Sequence, residues 1–166
     1  MADKTLDDLF HDTLRDIYYA EKHILKGLKK MMKGADSAEL RAGFEKHYTE
    51  TEGQIDRLEQ VFDIIGKPPR GKTCDAINGI LAEGEDILGD YKGTVALDAG
   101  LISSAQAVEH YEIARYGTLK RWALELGMND AAALLDATLQ EEYATDDALT
   151  ALADAKANLK AMEPAE

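Results

Sequence analysis

Val108-Glu109-His110-Tyr111-Glu112-Ile113-Ala114-Arg115-Tyr116-Gly117-Thr118-Leu119 is the stretch that decides how this chain folds. Val108, Glu112, Tyr116 and Leu119, extended by Leu97, Leu101, Ala105 and Ala123, recur at steps of three and four residues, which is the period of one helix face. Two acids, Glu109 and Glu112, fall one turn apart in line with that apolar face. A carboxylate turned toward a helical core is costly unless a cation or a hydrogen-bond donor meets it. The spacing thus predicts a long helix over about 94–126 and, within it, acid that needs a partner.

The same pattern recurs on either side. Thr5 with Asp8, and Asp36-Ser37-Ala38-Glu39, read as helix starts, each an N-cap acceptor answered by an acid three residues on. Gly34 and Gly66-Lys67-Pro68-Pro69 read as helix ends, and Gly127-Met128-Asn129 reads as a helix end followed by a fresh N-cap at Asn129. Long helices are expected over about 5–33, 37–65 and 130–160 as well. The second carries the stripe Phe44, Tyr48, Thr51, Ile55, Leu58, Phe62 and Ile65, and the last carries Leu134, Leu135, Leu139, Glu142, Thr145, Leu149 and Leu152. A segment over about 74–88, punctuated by Gly79, Gly84 and Gly89, reads as a short connecting helix. Valine occurs only at Val61, Val95 and Val108, so β-branched strand runs are missing and the class is all-α. The tight links at Gly34 and Gly127 make two antiparallel hairpins, and the long stretch between them makes a crossover. That is the wiring of a ferritin-like four-helix bundle, expected here as a single domain over 1–166.

Charge narrows the function classes. With 19 basic against 32 acidic side chains the net charge is −13, a field that repels nucleic-acid phosphates. No stretch approaches the roughly 18 continuous apolar residues of a membrane span. The N-terminus Met1-Ala2-Asp3-Lys4-Thr5-Leu6-Asp7-Asp8 has no basic flank and no apolar signal core, so the cytoplasm is expected. The single cysteine, Cys74, rules out an intramolecular disulfide and is expected to be a packed, inert thiol.

Further acids sit on apolar faces. Glu21 lies among Leu14, Ile17, Tyr18, Ile24, Leu25 and Leu28, and Glu142 lies between Leu135, Leu139 and Leu149. Glu50 is at the edge of its stripe, Gln54 is nearer the centre, and Asp146 follows Thr145. The two hairpins also align: Ala20-Glu21-Lys22-His23-Ile24 matches Val108-Glu109-His110-Tyr111-Glu112, Glu50 matches Glu141 or Glu142, and Gln54 matches Thr145 or Asp146. Carboxylates contributed by four helices are the donor type that iron and manganese accept. The bland alternative is a solvated rim, or pairing with Lys and Arg. His47, one turn before Glu50 on the inner side, is either a boundary histidine or one that reaches the acids; His11, His23 and His110 read as surface residues. Tyr116 is the tyrosine best placed to hydrogen-bond a ligand or donate an electron, and Trp122 and Phe62 read as core or subunit contacts.

The run from Val108 to Leu119 resembles the third bundle helix of rubrerythrins, in which a Glu-x-x-Glu pair supplies metal ligands. Taken with Tyr19-Ala20-Glu21-Lys22, Glu50-Thr51-Glu52-Gly53-Gln54-Ile55-Asp56-Arg57-Leu58-Glu59 and Leu139-Gln140-Glu141-Glu142-Tyr143-Ala144-Thr145-Asp146, it makes nearly the whole chain resemble the YciE/YciF-type bacterial stress proteins (DUF892). The resemblance implies a homodimeric bundle with a di-iron-like site. Carried across, Glu21, Glu109, Glu112 and Glu142 fall on ligand positions, with Glu50, Gln54 and Asp146 as further candidates, for two metal ions, iron or manganese. This chain departs from the pattern in lacking Glu-x-x-His motifs: Gln54 and Thr145 stand where the histidines belong, and Thr51 stands where a glutamate belongs. The expected function is a stress-response protein with a binuclear centre and peroxide- or oxygen-dependent oxidation. The competing readings are a non-catalytic, dimeric structural or interaction protein that keeps the fold, and a cation buffer without turnover.

Overall fold

A computed structural model describes residues 3–164. The fold is carried by α1 (Leu6–Gly34), α2 (Ala38–Ile64), α3 (Asp75–Asp90), α4 (Leu97–Glu125) and α5 (Asn129–Leu152); a π-helical segment, Ala153–Ala157, leads into a last turn, α6 (Asn158–Ala161). Among the described residues there is no strand, and no helix is long and apolar enough to cross a membrane.

The ends of the helices follow local chemistry. The Thr5 N–H donates to Asp8 Oδ2 at 2.8 Å, and Ser37 Oγ accepts from the Leu40 N–H at 3.3 Å. Gly66 and Gly127 turn the chain at φ +66° and +74°, a region that side-chain-bearing residues seldom enter. Asn129 is the first residue of α5 rather than its cap; Met128 stands at the cap without a side-chain hydrogen bond. Cys74 caps α3: its buried Sγ accepts from the Ile77 N–H at 3.4 Å and lies 3.1 Å from the Tyr111 hydroxyl. Burial pushes this thiol up, away from the reactive thiolate.

Helices α1 and α2 form one hairpin and α4 and α5 the other; α1 packs on α4, and α2 on α5, closing the four-helix bundle. The two hairpins are pinned by Asp98, a buried acid near the start of α4, whose oxygens accept from the N–H groups of Asp36 and Ser37 at 2.9 Å each. That bond places the start of α4 at the end of α1, so the two helices run antiparallel.

The crossover is more than a link. α3 lies against both α1 and α4, with Tyr19 bonded to Asn78 at 3.1 Å and Lys30 paired with Glu85, so it climbs parallel to α1. A Cβ on Gly27 would stand 2.9 Å from Leu81 Cδ2, and one on Gly100 would stand 2.8 Å from Ile87 Cγ2. Glycine on the receiving helices thus lets α3 approach closely, and a side chain at either position would displace Leu81 or Ile87. Gly79, Gly84 and Gly89 do not interrupt α3, because burial of Ile77 and Gly84 against its neighbours outweighs their poor helix propensity.

Phe10, Leu14, Ile17, Ile24, Leu40, Phe44, Leu58 and Phe62 are among the buried residues of the core. In α2 the buried face runs through Phe44, His47, Thr51, Gln54 and Leu58, whereas Tyr48 and Ile55, expected on the inner stripe, are only half-buried. A polar pair, His47 and Gln54, therefore takes the place of two apolar side chains at the middle of the bundle.

Candidate metal centre

The centre of the bundle is acidic. Glu21 of α1, Gln54 of α2, Glu109 and Glu112 of α4 and Glu142 of α5 are all fully buried, and His47 of α2 is nearly so. One ligand atom from each of His47, Glu109, Glu112 and Glu142 lies within 4.8 Å of the others. His47 Nδ1 is 3.0 Å from Glu109 Oε1, and its Nε2 stands 3.7 Å from Glu142 Oε2 and 3.9 Å from Glu112 Oε2. None of these approaches has hydrogen-bond geometry. Glu21 Oε2, His47 Nε2, Gln54 Oε1, Glu142 Oε2 and both oxygens of Glu109 and Glu112 are buried and without a partner.

Native interiors rarely leave buried polar atoms unpaired, and each such atom calls for a physical reason. Among the described residues every orphan belongs to one cluster, and each is an oxygen or imidazole nitrogen able to offer a lone pair. This donor set fits a cation site.

Electrostatics point the same way. Burial, with Glu142 nearby, pushes Glu21 up to about 8. Burial pushes Glu109 and Glu112 well above the carboxylate range, again with Glu142 adding repulsion. Burial lowers His47, so its imidazole is neutral and offers a lone pair; the short approach to Glu109 is therefore no ion pair. Without a cation such a cluster keeps protons, because several carboxylates cannot all ionise in one dry pocket.

Two supports hold it. The Tyr116 hydroxyl, fully buried, donates to Glu21 Oε1 at 2.5 Å. Gln54 Nε2 donates to Glu142 Oε1 and, at 3.0 Å, to Glu141 Oε2. Glu141 in turn accepts both arms of Arg57, at 2.9 and 2.6 Å. The fork fixes which way the Gln54 amide faces and leaves its Oε1 unpaired inside.

Of the residues expected from sequence, the structure gathers Glu21, Gln54, Glu109, Glu112 and Glu142. It leaves Glu50 and Asp146 outside that group. Glu50 is paired with Lys46 at 3.0 Å and accepts from Thr145 Oγ1 at 3.3 Å. Asp146 meets His110 at 3.0 Å and Gln106 at 3.3 Å near the surface. His47 joins the cluster. Its spacing from Phe44, Thr51, Gln54 and Leu58 was a helical-face signal, obscured by the competing stripe through Tyr48 and Ile55. Arg57 and Asp98 left no such trace, and Glu141 figured only as an alternative match for Glu50, since their roles depend on a second helix. His11, set edge-on to Phe62, and His23, stacked on Tyr19 at 3.8 Å, are half-buried rather than surface residues.

A family model described as "Domain of unknown function (DUF892)" matches residues 5–162. Protein YciF of Escherichia coli (strain K12) is 42% identical over 160 residues, covering 95% of this chain and 96% of that protein. The crystal structure of the E. coli stress protein YciF superposes with a TM-score of 0.90 at 40% identity, over 94% of this chain and 99% of that one. The structure of YcfI from Rhodopseudomonas palustris, described as a candidate structural protein, gives a TM-score of 0.86 at 46% identity, over 89% and 94% of the two chains. A protein from Xanthomonas campestris shares the fold with a TM-score of 0.76 at 20% identity, over 94% and 96% of the chains.

Proposed function

The chain belongs to the DUF892 family, and on that premise and the chemistry of its core we propose that it is a ferritin-like stress protein whose bundle binds a carboxylate-rich centre of two divalent cations, iron or manganese. One observation carries this reading: the orphaned, fully buried donor atoms that converge on His47, Glu109, Glu112 and Glu142. Isolated carboxylates in a dry interior cost several kcal/mol each. Such a cluster is intelligible when cations meet its charge. Carboxylates with a single imidazole suit iron and manganese better than the soft, thiolate-seeking metals.

In this reading Glu21, Glu109, Glu112, Glu142 and His47 hold the ions, with Gln54 Oε1 completing the α2 side; Glu50 and Asp146 lie outside. Bound iron or manganese would supply redox and Lewis-acid chemistry toward oxygen or peroxide. The chain does the rest. Tyr116 anchors one oxygen of Glu21 and frees the other for a ligand's role. Arg57, through Glu141, holds Gln54. The surrounding apolar side chains limit water around the carboxyls, which would release their protons on binding cations. A homodimer and a cytoplasmic setting belong to the same reading, and sedimentation equilibrium and cell fractionation check them.

A second reading has a specific observation behind it: the R. palustris relative is described as a candidate structural protein, and Tyr116 and Gln54 already donate to two of the acids. Under it the carboxyls stay protonated and function lies on the surface. Elemental analysis after anaerobic reconstitution with ferrous or manganous ion separates the two. Close to two ions per chain, lost in Glu112→Ala, is the outcome expected. A metal-free protein under both conditions sinks the binuclear centre and leaves the structural reading.

A further inference from the structure

The candidate ligands are sealed from solvent, so cations need a way in, and a cleft between α2 and α5 leads toward them. A cavity of about 50 Å³ between α2 and α5 is lined by Gly43, Lys46, His47, Glu50, Thr145 and Leu149, among others, so that it joins the outside of the bundle to a member of the cluster. Glu50 and Lys46 stand at its outer end, with side chains 21% and 68% exposed, while His47 is 2% exposed at its inner end. The other small void that touches His47, about 10 Å³, is lined by Ile24, Leu28, Met31, Leu81, Ala105 and Val108. That second void offers a cation no oxygen and lies beneath α3, so it leads nowhere useful.

We infer that the α2–α5 cleft is the port through which divalent cations reach the buried centre, with Glu50 as its transit ligand and Lys46 as the charge that restrains it. The inference rests on the proposed metal-binding function. Size supports it. At about 12 Å³ of water-centre volume per molecule, the cavity holds about four waters, too few for a cation in a full octahedral shell. An ion must therefore shed water on the way, and the oxygens that can replace it are those of Glu50 and Thr145.

Both Glu50 oxygens are already held at the mouth: Oε1 by Lys46 Nζ at 3.0 Å, and Oε2 by the Thr145 hydroxyl at 3.3 Å. An arriving cation competes with Lys46 for Oε1, so the ammonium departs as the ion docks. Glu50 then passes the ion inward to the neutral His47. Gly43 keeps the wall low, since a Cβ there would meet only Leu152 Cδ1 at 3.8 Å, leaving the space for water.

The test is stopped-flow uptake of cobaltous ion, read by its visible absorbance in the purified full chain, alongside equilibrium stoichiometry and circular dichroism. Glu50→Gln is expected to slow uptake by about tenfold, and Lys46→Gln to speed it, while both reach wild-type stoichiometry. Gly43→Phe, which plugs the cleft without changing charge, is expected to slow uptake as well. Unchanged rates in Glu50→Gln and Gly43→Phe overturn the port. A reduced end point in Glu50→Gln makes Glu50 a resident ligand and overturns its transit role. If the wild type takes up no cobalt, manganese or iron, the metal-binding reading falls first and the port with it.

Discussion

At the scale of single residues, the cost of placing each side chain decides most of what this protein can do. Tyr116 is fully buried, and its hydroxyl is the partner of Glu21 Oε1. Tyr116→Phe removes that donor and leaves both Glu21 oxygens unmatched, so the metal-free protein should lose about 1–3 kcal/mol, measured by urea unfolding. Stability equal to wild type would mean that Glu21 is satisfied by a carboxylic proton instead. The acids on apolar faces were legible in the sequence because a polar residue at a core period is an anomaly that one chain can display. The exclusion of Glu50 and Asp146 from that group was not, since a residue at a stripe's edge turns inward or outward according to the neighbour it meets, here Lys46 and His110.

At the scale of elements, helix propensity and helix docking make opposite demands on glycine. Gly53 lies inside α2 with nothing near the position a Cβ would take, so Gly53→Ala should stabilise by about 0.5–1 kcal/mol through lower chain entropy. Gly100 faces Ile87 of α3, and Gly100→Leu should destabilise by about 1–3 kcal/mol through overpacking. Urea midpoints moving in the same direction for both variants would refute the docking role of Gly100. The α3 segment shows what sequence reading leaves open at this scale. Its pattern marks a short connecting helix over about 74–88 in spite of three glycines, and packing against α1 and α4 is what carries it unbroken from Asp75 to Asp90. Local preference is worth about 1 kcal/mol per glycine, and burial of one helical face exceeds that.

At the scale of the whole molecule, the acidic centre makes stability depend on pH and metal together. Glu21 has its folded-state pKa raised to about 8 from an ordinary 4.5. Below that ordinary value both folded and unfolded chains keep the proton, and above about 8 both have lost it. In between, only the folded chain holds it, so the metal-free protein loses stability as pH rises, by about 1.4 kcal/mol per pH unit for each such carboxyl. Glu109 and Glu112, raised in the same direction, add to the slope. With cations bound the trend should reverse, because acid then displaces metal. Thermal melts of chelated and reconstituted protein between pH 5 and 8 check both signs. A flat profile without metal would show that the carboxyls are not desolvated in solution.

The sequence by itself determined the helical class, the pairing of long helices into two hairpins, the acidic field and the presence of carboxylates on core-facing positions. Period, caps and charge are properties of a chain read in order, and each acts within a few residues. Only the tertiary structure decided between the two readings of His47 and turned Tyr48 and Ile55 aside, and only it showed that Arg57 orients Gln54 through Glu141, that Asp98 ties the hairpins, and that a cleft between α2 and α5 reaches His47. Those facts depend on contacts between helices distant in sequence. A rotation of about a quarter turn, which no local signal fixes, selects which of two adjacent side chains meets the core.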